Sequence, residues 1–95
     1  MVVRLTHFNL SSEKVAGGKD MFLSQLAPEI KKQKGNSGIM LLEPSDSSGD
    51  YISQTSWETK EAAEEYESSG KYKEMVDKLR SFTNGQPSLK TYTTQ

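Results

Sequence analysis

One histidine, one tryptophan and two of the four tyrosines are the side chains best suited to act on a small molecule. His7 is the only side chain whose ordinary pKa lies close to neutrality, so it can serve as a general base. Trp57 offers a flat surface on which an aromatic ligand can stack. Tyr66 and Tyr72 each join a ring to a hydroxyl that can hydrogen-bond a phenolic or carbonyl oxygen. These residue types predict a site for a small organic ligand, with His7 as the catalytic residue.

Each of these side chains also has an ordinary structural role. His7 could be a hydrogen-bonded or interface histidine, and Asn9, which shares its strand face, could orient a ligand oxygen or end the strand. Trp57 could equally be a core residue. Tyr72 lies on an apolar helical stripe and is expected mainly in the core, whereas Tyr66 stands among glutamates that predict a solvated helix face.

Length and charge argue against several classes of protein. The 95 residues predict a single domain, spanning residues 1–95, with a modest core. Twelve basic and 13 acidic residues are interspersed, so nucleic acid is not an expected partner. The longest apolar run, residues 39–42, is too short to span a membrane. Without cysteine, and with one histidine, no metal site is expected. The chain opens on strand-like residues without a signal-peptide pattern, and a cytoplasmic location is expected.

Composition and spacing predict an alternation of strands and helices. Four strands are predicted, over residues 2–10, 39–43, 51–58 and 88–94. Two helices are predicted, over residues 19–34 and 60–82. Polar and glycine-containing stretches at residues 44–50 and 84–87 predict a hairpin loop and a turn.

Several residues predict where the helices begin, bend and end. Gly17-Gly18 is expected to interrupt any earlier start of the first helix, and Gly35 is expected to end it. Pro28 predicts a kink or a restart because it lacks a backbone donor. Thr59 is the expected N-cap of the second helix, which residues 68–70 should divide.

The order strand, helix, strand, strand, helix, strand predicts an α+β, ferredoxin-like βαββαβ fold. It has a four-stranded antiparallel sheet and two helices on one face. The run Ile39 to Leu42 places apolar side chains on both faces of its strand. An exposed second face would then be costly, so a homodimer that packs sheet against sheet is expected.

A distinctive spacing of aromatic and polar residues follows the third strand. Trp57-Glu58-Thr59 closes that strand, Tyr66 lies nine positions after Trp57, and Ser69-Gly70-Lys71-Tyr72 comes next. This register resembles the antibiotic biosynthesis monooxygenase family, in which an aromatic-acidic pair closes the third strand. In that family the next helix carries a ring nine positions on, followed by a Ser-Pro-His-Phe-like run.

The resemblance implies a dimeric α+β barrel with a pocket between helices and sheet. Many members oxidise flat phenols, quinols or anthrone-like compounds without metal or flavin, so no cofactor is implied. On this basis the chain is expected to be a cofactor-independent monooxygenase of a small aromatic or quinol-type substrate. His7 would be the base, Trp57 the stacking surface, and Asn9 and Tyr66 the groups that orient the ligand.

The chain departs from its relatives at two helix positions where many carry histidine, filled here by Tyr66 and Lys71. A haem-degrading branch has an axial histidine ten residues after the helix ring. That position is Val76 here, so haem degradation is not expected.

Two alternatives remain: an isomerase of the same fold, and a non-enzymatic small-molecule-binding or stress-response dimer. A ring-lined pocket with His7 pointing inward would favour oxygenation. A hydroxyl-rich pocket would favour isomerisation, and a filled pocket would favour the non-enzymatic protein.

Overall fold

The fold is a single antiparallel sheet covered on one face by helices. The computed structural model describes residues 1–46 and 49–95. Its strands are β1 (Val2–Leu10), β2 (Asn36–Leu42), β3 (Tyr51–Trp57) and β4 (Thr83–Thr93). Its helices are α1 (Val15–Met21), α2 (Ala27–Lys31), α3 (Lys60–Ser68) and α4 (Lys71–Leu79). The strand order β2-β3-β1-β4 confirms the predicted ferredoxin-like α+β fold. None of the described helices is both long and apolar enough to cross a bilayer.

Strand alternation divides the sheet into an inner face, toward the helices, and an outer face. In β1 the buried inner set is Val2, Arg4, Thr6, Phe8 and Leu10, and the intervening residues are partly exposed. In β3 the buried set is Tyr51, Ser53, Thr55 and Trp57. Because β1 and β3 are the two central strands, these inner residues form the floor under the helices.

The first helix begins earlier than the sequence predicts. Gly17 and Gly18 both lie inside α1, so the expectation that they interrupt it is wrong. A Cβ atom at Gly18 would come within 2.8 Å of a Leu10 methyl and 3.3 Å of the Phe82 Cβ. The missing side chain lets α1 lie directly on the end of β1, and this packing offsets the weak helix propensity of glycine.

The predicted irregularity before Pro28 is present as a π-helical segment, Phe22–Leu26, that joins α1 to α2. The Ala27 amide donates to the Phe22 carbonyl, a bond spanning five residues. Proline cannot donate to the carbonyl four residues earlier and clashes with it, so a wider turn relieves both problems. The helix ends at Lys31, earlier than the predicted stop at Gly35, which lies with a φ of 82° in the turn before β2.

The second helical region is divided where the sequence predicts. Thr59 caps α3 by accepting a hydrogen bond from the Ala62 amide at 3.1 Å. Gly70, with φ of 89°, separates α3 from α4 in a left-handed conformation that favours glycine.

The last strand is longer than predicted. β4 begins at Thr83, so residues 84–87 belong to it and the predicted turn is wrong. The register with β1 shifts between His7 and Asn9, and beyond that irregularity Asn9 pairs with Asn84. The predicted loop at residues 44–50 includes residues 47 and 48, which lie outside the described residues.

Candidate functional site

Four polar side chains lie at the centre of the inner face, where apolar residues would be expected. In the β1–β3 register Arg4 is opposite Thr55, and Thr6 is opposite Ser53. All four are less than 9% exposed. The helices α3 and α4 cover them with Tyr66 and Tyr72, one from each side of the Gly70 joint.

These side chains enclose a small cavity between sheet and helices. It is lined by Arg4, Thr6, Ser53, Thr55, Tyr66, Tyr72, Met75 and Leu89. Its volume is about 10 Å³, close to what a single water molecule requires. An aromatic ligand therefore fits only if lining side chains or α4 move.

Arg4 brings a positive charge into this cavity. Its Nη1 donates to the Ala63 carbonyl at 2.9 Å, and its Nη2 donates to Glu67 Oε1 at 2.6 Å. The Arg4 side chain is 9% exposed and that of Glu67 is 49% exposed, so the ion pair runs from the interior to the surface. Arg4 Nε is buried and has no partner within the described part of the chain.

Two further buried polar atoms line the same cavity without a partner among the described residues, Ser53 Oγ and the Tyr66 hydroxyl. Most buried polar atoms in native proteins are hydrogen-bonded, so three such atoms around one cavity indicate a place for a polar atom, either of a ligand or of a water molecule. The Thr6 hydroxyl donates to the Tyr72 hydroxyl at 3.5 Å, a long contact. The Thr6 and Tyr72 hydroxyls are therefore only weakly engaged with each other, and the unpartnered groups of the cavity remain available to donate to a bound atom.

Burial raises the pKa of Tyr66 above its ordinary value, because the charged phenolate is poorly solvated there. The neighbouring Tyr72 raises this pKa further, whereas Arg4 opposes the shift. Tyr66 is therefore a neutral hydrogen-bond donor at physiological pH and cannot act as a base.

Trp57 supports the cavity from behind and does not line it. Its side chain is fully buried, and its indole Nε1 donates to Thr55 Oγ1 at 2.9 Å. Its ring stacks on Tyr66 with a centroid distance of 4.9 Å. In turn Tyr66 meets the Tyr72 ring edge-on at 6.4 Å. Tyr66 is only 5% exposed, so the solvated face predicted around it is wrong for this residue.

His7 and Asn9 lie on the outer face of the sheet, away from this cavity. His7 is paired with Ile52 in β3 and Ser88 in β4. Asn9 Oδ1 accepts a hydrogen bond from Asn84 at 3.2 Å. The structure therefore brings Tyr66 and Tyr72 together beside Trp57 and separates them from His7 and Asn9. A catalytic role for His7 remains a prediction that this cavity does not support.

The sequence interpretation missed the polar floor formed by Arg4, Thr6, Ser53 and Thr55. A signal was available in β1, where Val2, Phe8 and Leu10 occupy even positions and identify the core-facing set. Arg4 and Thr6 share that parity, while His7 has the opposite parity. Within the described chain, no group of three or more acidic or histidine side chains is arranged to hold a metal ion.

Comparison with known proteins identifies the family. The model of the antibiotic biosynthesis monooxygenase family matches residues 1–78. Because this match covers most of the 95 residues, the chain belongs to that family. Membership supports a monooxygenase-type role in general terms. No protein of curated function matches the chain.

Solved structures show the same fold at low sequence identity. A protein from Nitrosomonas europaea that is assigned to the antibiotic biosynthesis monooxygenases superposes with a TM-score of 0.81. It has 14% sequence identity, and the superposition covers 99% of this chain and 98% of the other. The cofactor-independent oxygenase SnoaB from Streptomyces nogalater gives 0.80 and 17%, covering 99% and 92%. The heme-degrader MhuD from Mycobacterium tuberculosis, with two hemes bound in its active site, gives 0.78 and 21%, covering 99% and 95%.

Proposed function

We propose that this protein is a cofactor-independent monooxygenase of a small aromatic or quinol-type substrate, which it binds in the cavity between sheet and helices. The observation that carries this proposal is the set of three unpartnered buried polar atoms around that cavity: Arg4 Nε, Ser53 Oγ and the Tyr66 hydroxyl. Oxygen atoms of a quinol or its anion would satisfy all three. Family membership and the likeness to a cofactor-independent oxygenase support the same reaction class.

The reaction needs no external reductant. An ionised quinol gives one electron to dioxygen, and the resulting radical pair combines into a hydroperoxide. Loss of water leaves a hydroxyquinone, so one oxygen atom enters the product and the other leaves as water. The substrate supplies all four electrons, two from quinol oxidation and two from the carbon–hydrogen bond that becomes carbon–oxygen. The protein's part is to exclude water and hold the substrate anion.

Isomerisation is a less well supported function than oxygenation, although the cavity is rich in hydroxyls. Such a reaction needs a group that removes and returns a proton beside the substrate. Tyr66 is held protonated, and the carboxylate of Glu67 is engaged by Arg4. Oxidation of a substrate that is already an anion requires no such base.

A non-enzymatic binding protein is the second candidate, and the volume of the cavity favours it. About 10 Å³ does not admit a quinol in this conformation. In the monooxygenase proposal α4 moves outward about the Gly70 joint and carries Tyr72 and Met75 with it. Tyr72 is only partly buried against the core, so its movement would disturb less packing than that of Met75.

A second copy of the chain is part of the proposal. The outer face of the sheet carries an apolar set that no described element covers: Val3, Leu5, Met40, Leu42, Ile52 and Tyr92. An obligate interface of this kind buries about 2,000 Å² or more in total. We propose that two sheets pack through these faces, with His7 inside the interface. The cytoplasmic location also remains a prediction.

Oxygen consumption tests the proposed reaction. A panel of hydroquinones and anthrones in metal-free buffer should consume dioxygen, and labelled dioxygen should place one labelled atom in the product. Ser53→Ala and Tyr66→Phe should each slow uptake, because each removes a group that holds the substrate. Binding of panel members without any oxygen uptake would leave the non-enzymatic protein as the function.

His7→Ala in the same assay decides the role predicted for the histidine. A loss of about 10²- to 10⁴-fold in a variant that keeps the oligomeric state of the wild type would support His7 as the general base. Unchanged uptake by a stably folded variant would assign the chemistry to the cavity alone.

A further inference from the structure

Arg4 joins β1 to α3 through its two Nη atoms, which donate to the Ala63 carbonyl and to Glu67, but these contacts leave its buried Nε unused. Arginine is seldom so deeply buried, and removal from water is costly for a charged group. Replacing a buried ion pair by apolar residues of similar volume is often neutral or stabilising. Arg4 pairs with Glu67, which is half exposed and could pair equally well with a surface residue. The burial of the guanidinium therefore points to a functional role for Arg4.

The guanidinium is only partly used. Nε and Nη2 lie on the same edge of its plane, the edge that binds a carboxylate or another oxyanion through two parallel hydrogen bonds. Glu67 engages only Nη2 on this edge, through Oε1. The neighbouring Nε is buried without a partner and belongs to a residue that lines the cavity. Half of an oxyanion-binding edge, the Nε donor, is thus unused on a residue that lines the cavity.

Two neutral groups complete the arrangement. Tyr66 and Ser53 line the same cavity, and their hydroxyls are also buried and unpartnered. The cavity that these three residues help to line has a volume of about 10 Å³, which suits one oxygen atom of a ligand and not a whole ring.

We propose that Arg4 is the specificity-determining residue of this site: it receives a compact oxyanion of the ligand, in competition with the carboxylate of Glu67. The inference rests on the proposed function and narrows its substrates to molecules that present an ionised phenol, enol or carboxylate. Neutral molecules of the same shape bind less well, because they offer the unused Nε no anionic acceptor. Glu67 acts as an internal occupant that keeps Arg4 paired when no ligand is bound.

A matched pair of probes tests this selectivity. 4-Nitrophenol, at a pH where it is ionised, and 4-nitroanisole have nearly the same shape, but only the first carries an oxyanion. Equilibrium dialysis should show that the wild-type protein prefers the phenolate by about 10- to 100-fold, the range for a hydrogen bond to a charged group. In Arg4→Met this preference should fall to about one, and circular dichroism should show that the variant remains folded.

A second substitution tests the competition. Glu67→Gln keeps a hydrogen-bond acceptor for Arg4 but removes the competing charge, so phenolate affinity should rise while 4-nitroanisole affinity does not. Glu64→Gln is the matched control on the same helix, since Glu64 is exposed and lies 3.8 Å from Lys60. It should change neither affinity.

The outcomes separate this inference from the proposed reaction. Equal affinity of the wild type for both probes, or a preference that survives in a folded Arg4→Met variant, overturns the role of Arg4 even if quinols are oxidised. If phenolate binding depends on Arg4 but no quinol supports oxygen uptake, the role of Arg4 is retained and the monooxygenase reaction is ruled out. Failure of both probes to bind overturns the inference.

Discussion

The burial of Tyr66 determines which chemistry this residue can contribute to the cavity. Its ring is packed against Trp57 on one side, and its hydroxyl has no partner inside the described chain. Burial keeps the phenol neutral, so the residue can donate a hydrogen bond to an oxyanion that Arg4 attracts. A neutral donor beside a fixed cation favours an anionic ligand without supplying a base. The residue types in the cavity are thus better suited to hold an anion than to create one.

The raised pKa of Tyr66 predicts a loss of stability at high pH. Because burial favours the protonated phenol, the folded protein retains this proton at pH values where the unfolded chain, with an ordinary pKa near 10, has lost it. The contribution is fully present below about pH 10 and is lost above it, by at most about 1.4 kcal/mol per pH unit. Denaturant unfolding of wild type and Tyr66→Phe at several pH values measures the difference.

Tyr66→Phe should remove this part of the pH dependence and should not lower the free energy of unfolding at neutral pH, because the unpartnered buried hydroxyl carries a desolvation cost. Its hydroxyl makes no hydrogen bond that would be lost. Parallel stability curves for the two proteins between neutral pH and pH 11 would contradict the assigned burial effect.

At the scale of elements, the helices depend on their apolar stripes. Phe22, Leu26 and Ile30 recur at four-residue spacing, and each is at most 3% exposed. This spacing is visible in the sequence and survives the π-helical segment, because all three residues still face the sheet. Met75 and Leu79 form the corresponding buried stripe of α4.

Truncation of one stripe residue tests this packing. Leu26→Ala should lower the free energy of unfolding by about 2 to 5 kcal/mol, since it removes a buried side chain and leaves a cavity. Glu64→Ala lies on the exposed face of α3 and should stay within about 0.5 kcal/mol of the wild type. Equal denaturation midpoints for the two variants would show that the helix faces are wrongly assigned.

The sequence predicts the strand and helix order well, because hydrophobic spacing is a local property of the chain. It fails where contacts distant in sequence decide the outcome. The two glycines of α1 are helical only because Leu10 and Phe82 pack where a Cβ would be. The first residues of β4 extend the strand because Thr83 and Asn84 pair with the end of β1.

The candidate site was only partly predictable for a similar reason. The aromatic residues stood out by type and spacing, and Trp57, Tyr66 and Tyr72 do lie together. Strand parity alone could have placed His7 on the opposite face from Arg4, because β1 alternates regularly. The burial of Tyr66 could not be predicted locally, since it depends on Trp57 stacking from β3 and on Arg4 reaching α3.

At the scale of the whole molecule, the two faces of the sheet have different roles in the proposal. The inner face lines the cavity, and the outer face is proposed to pack against a second copy of the chain. Met40 is 53% exposed and Tyr92 is 50% exposed, high values for large apolar side chains on a sheet. In a sheet-to-sheet dimer both would be covered, along with the aliphatic residues between them.

Sedimentation at micromolar concentration should therefore give a species of twice the 10.6 kDa chain mass. Met40→Glu should weaken this dimer, because the interface would bury an unpaired charge on each copy. Leu23→Glu is the matched control: Leu23 is 56% exposed, close to the 53% of Met40, but lies in the π-helical segment on the other side of the sheet. It should leave the dimer intact. A wild-type protein that sediments only as the 10.6 kDa chain, or two variants that behave alike, would rule out the proposed interface.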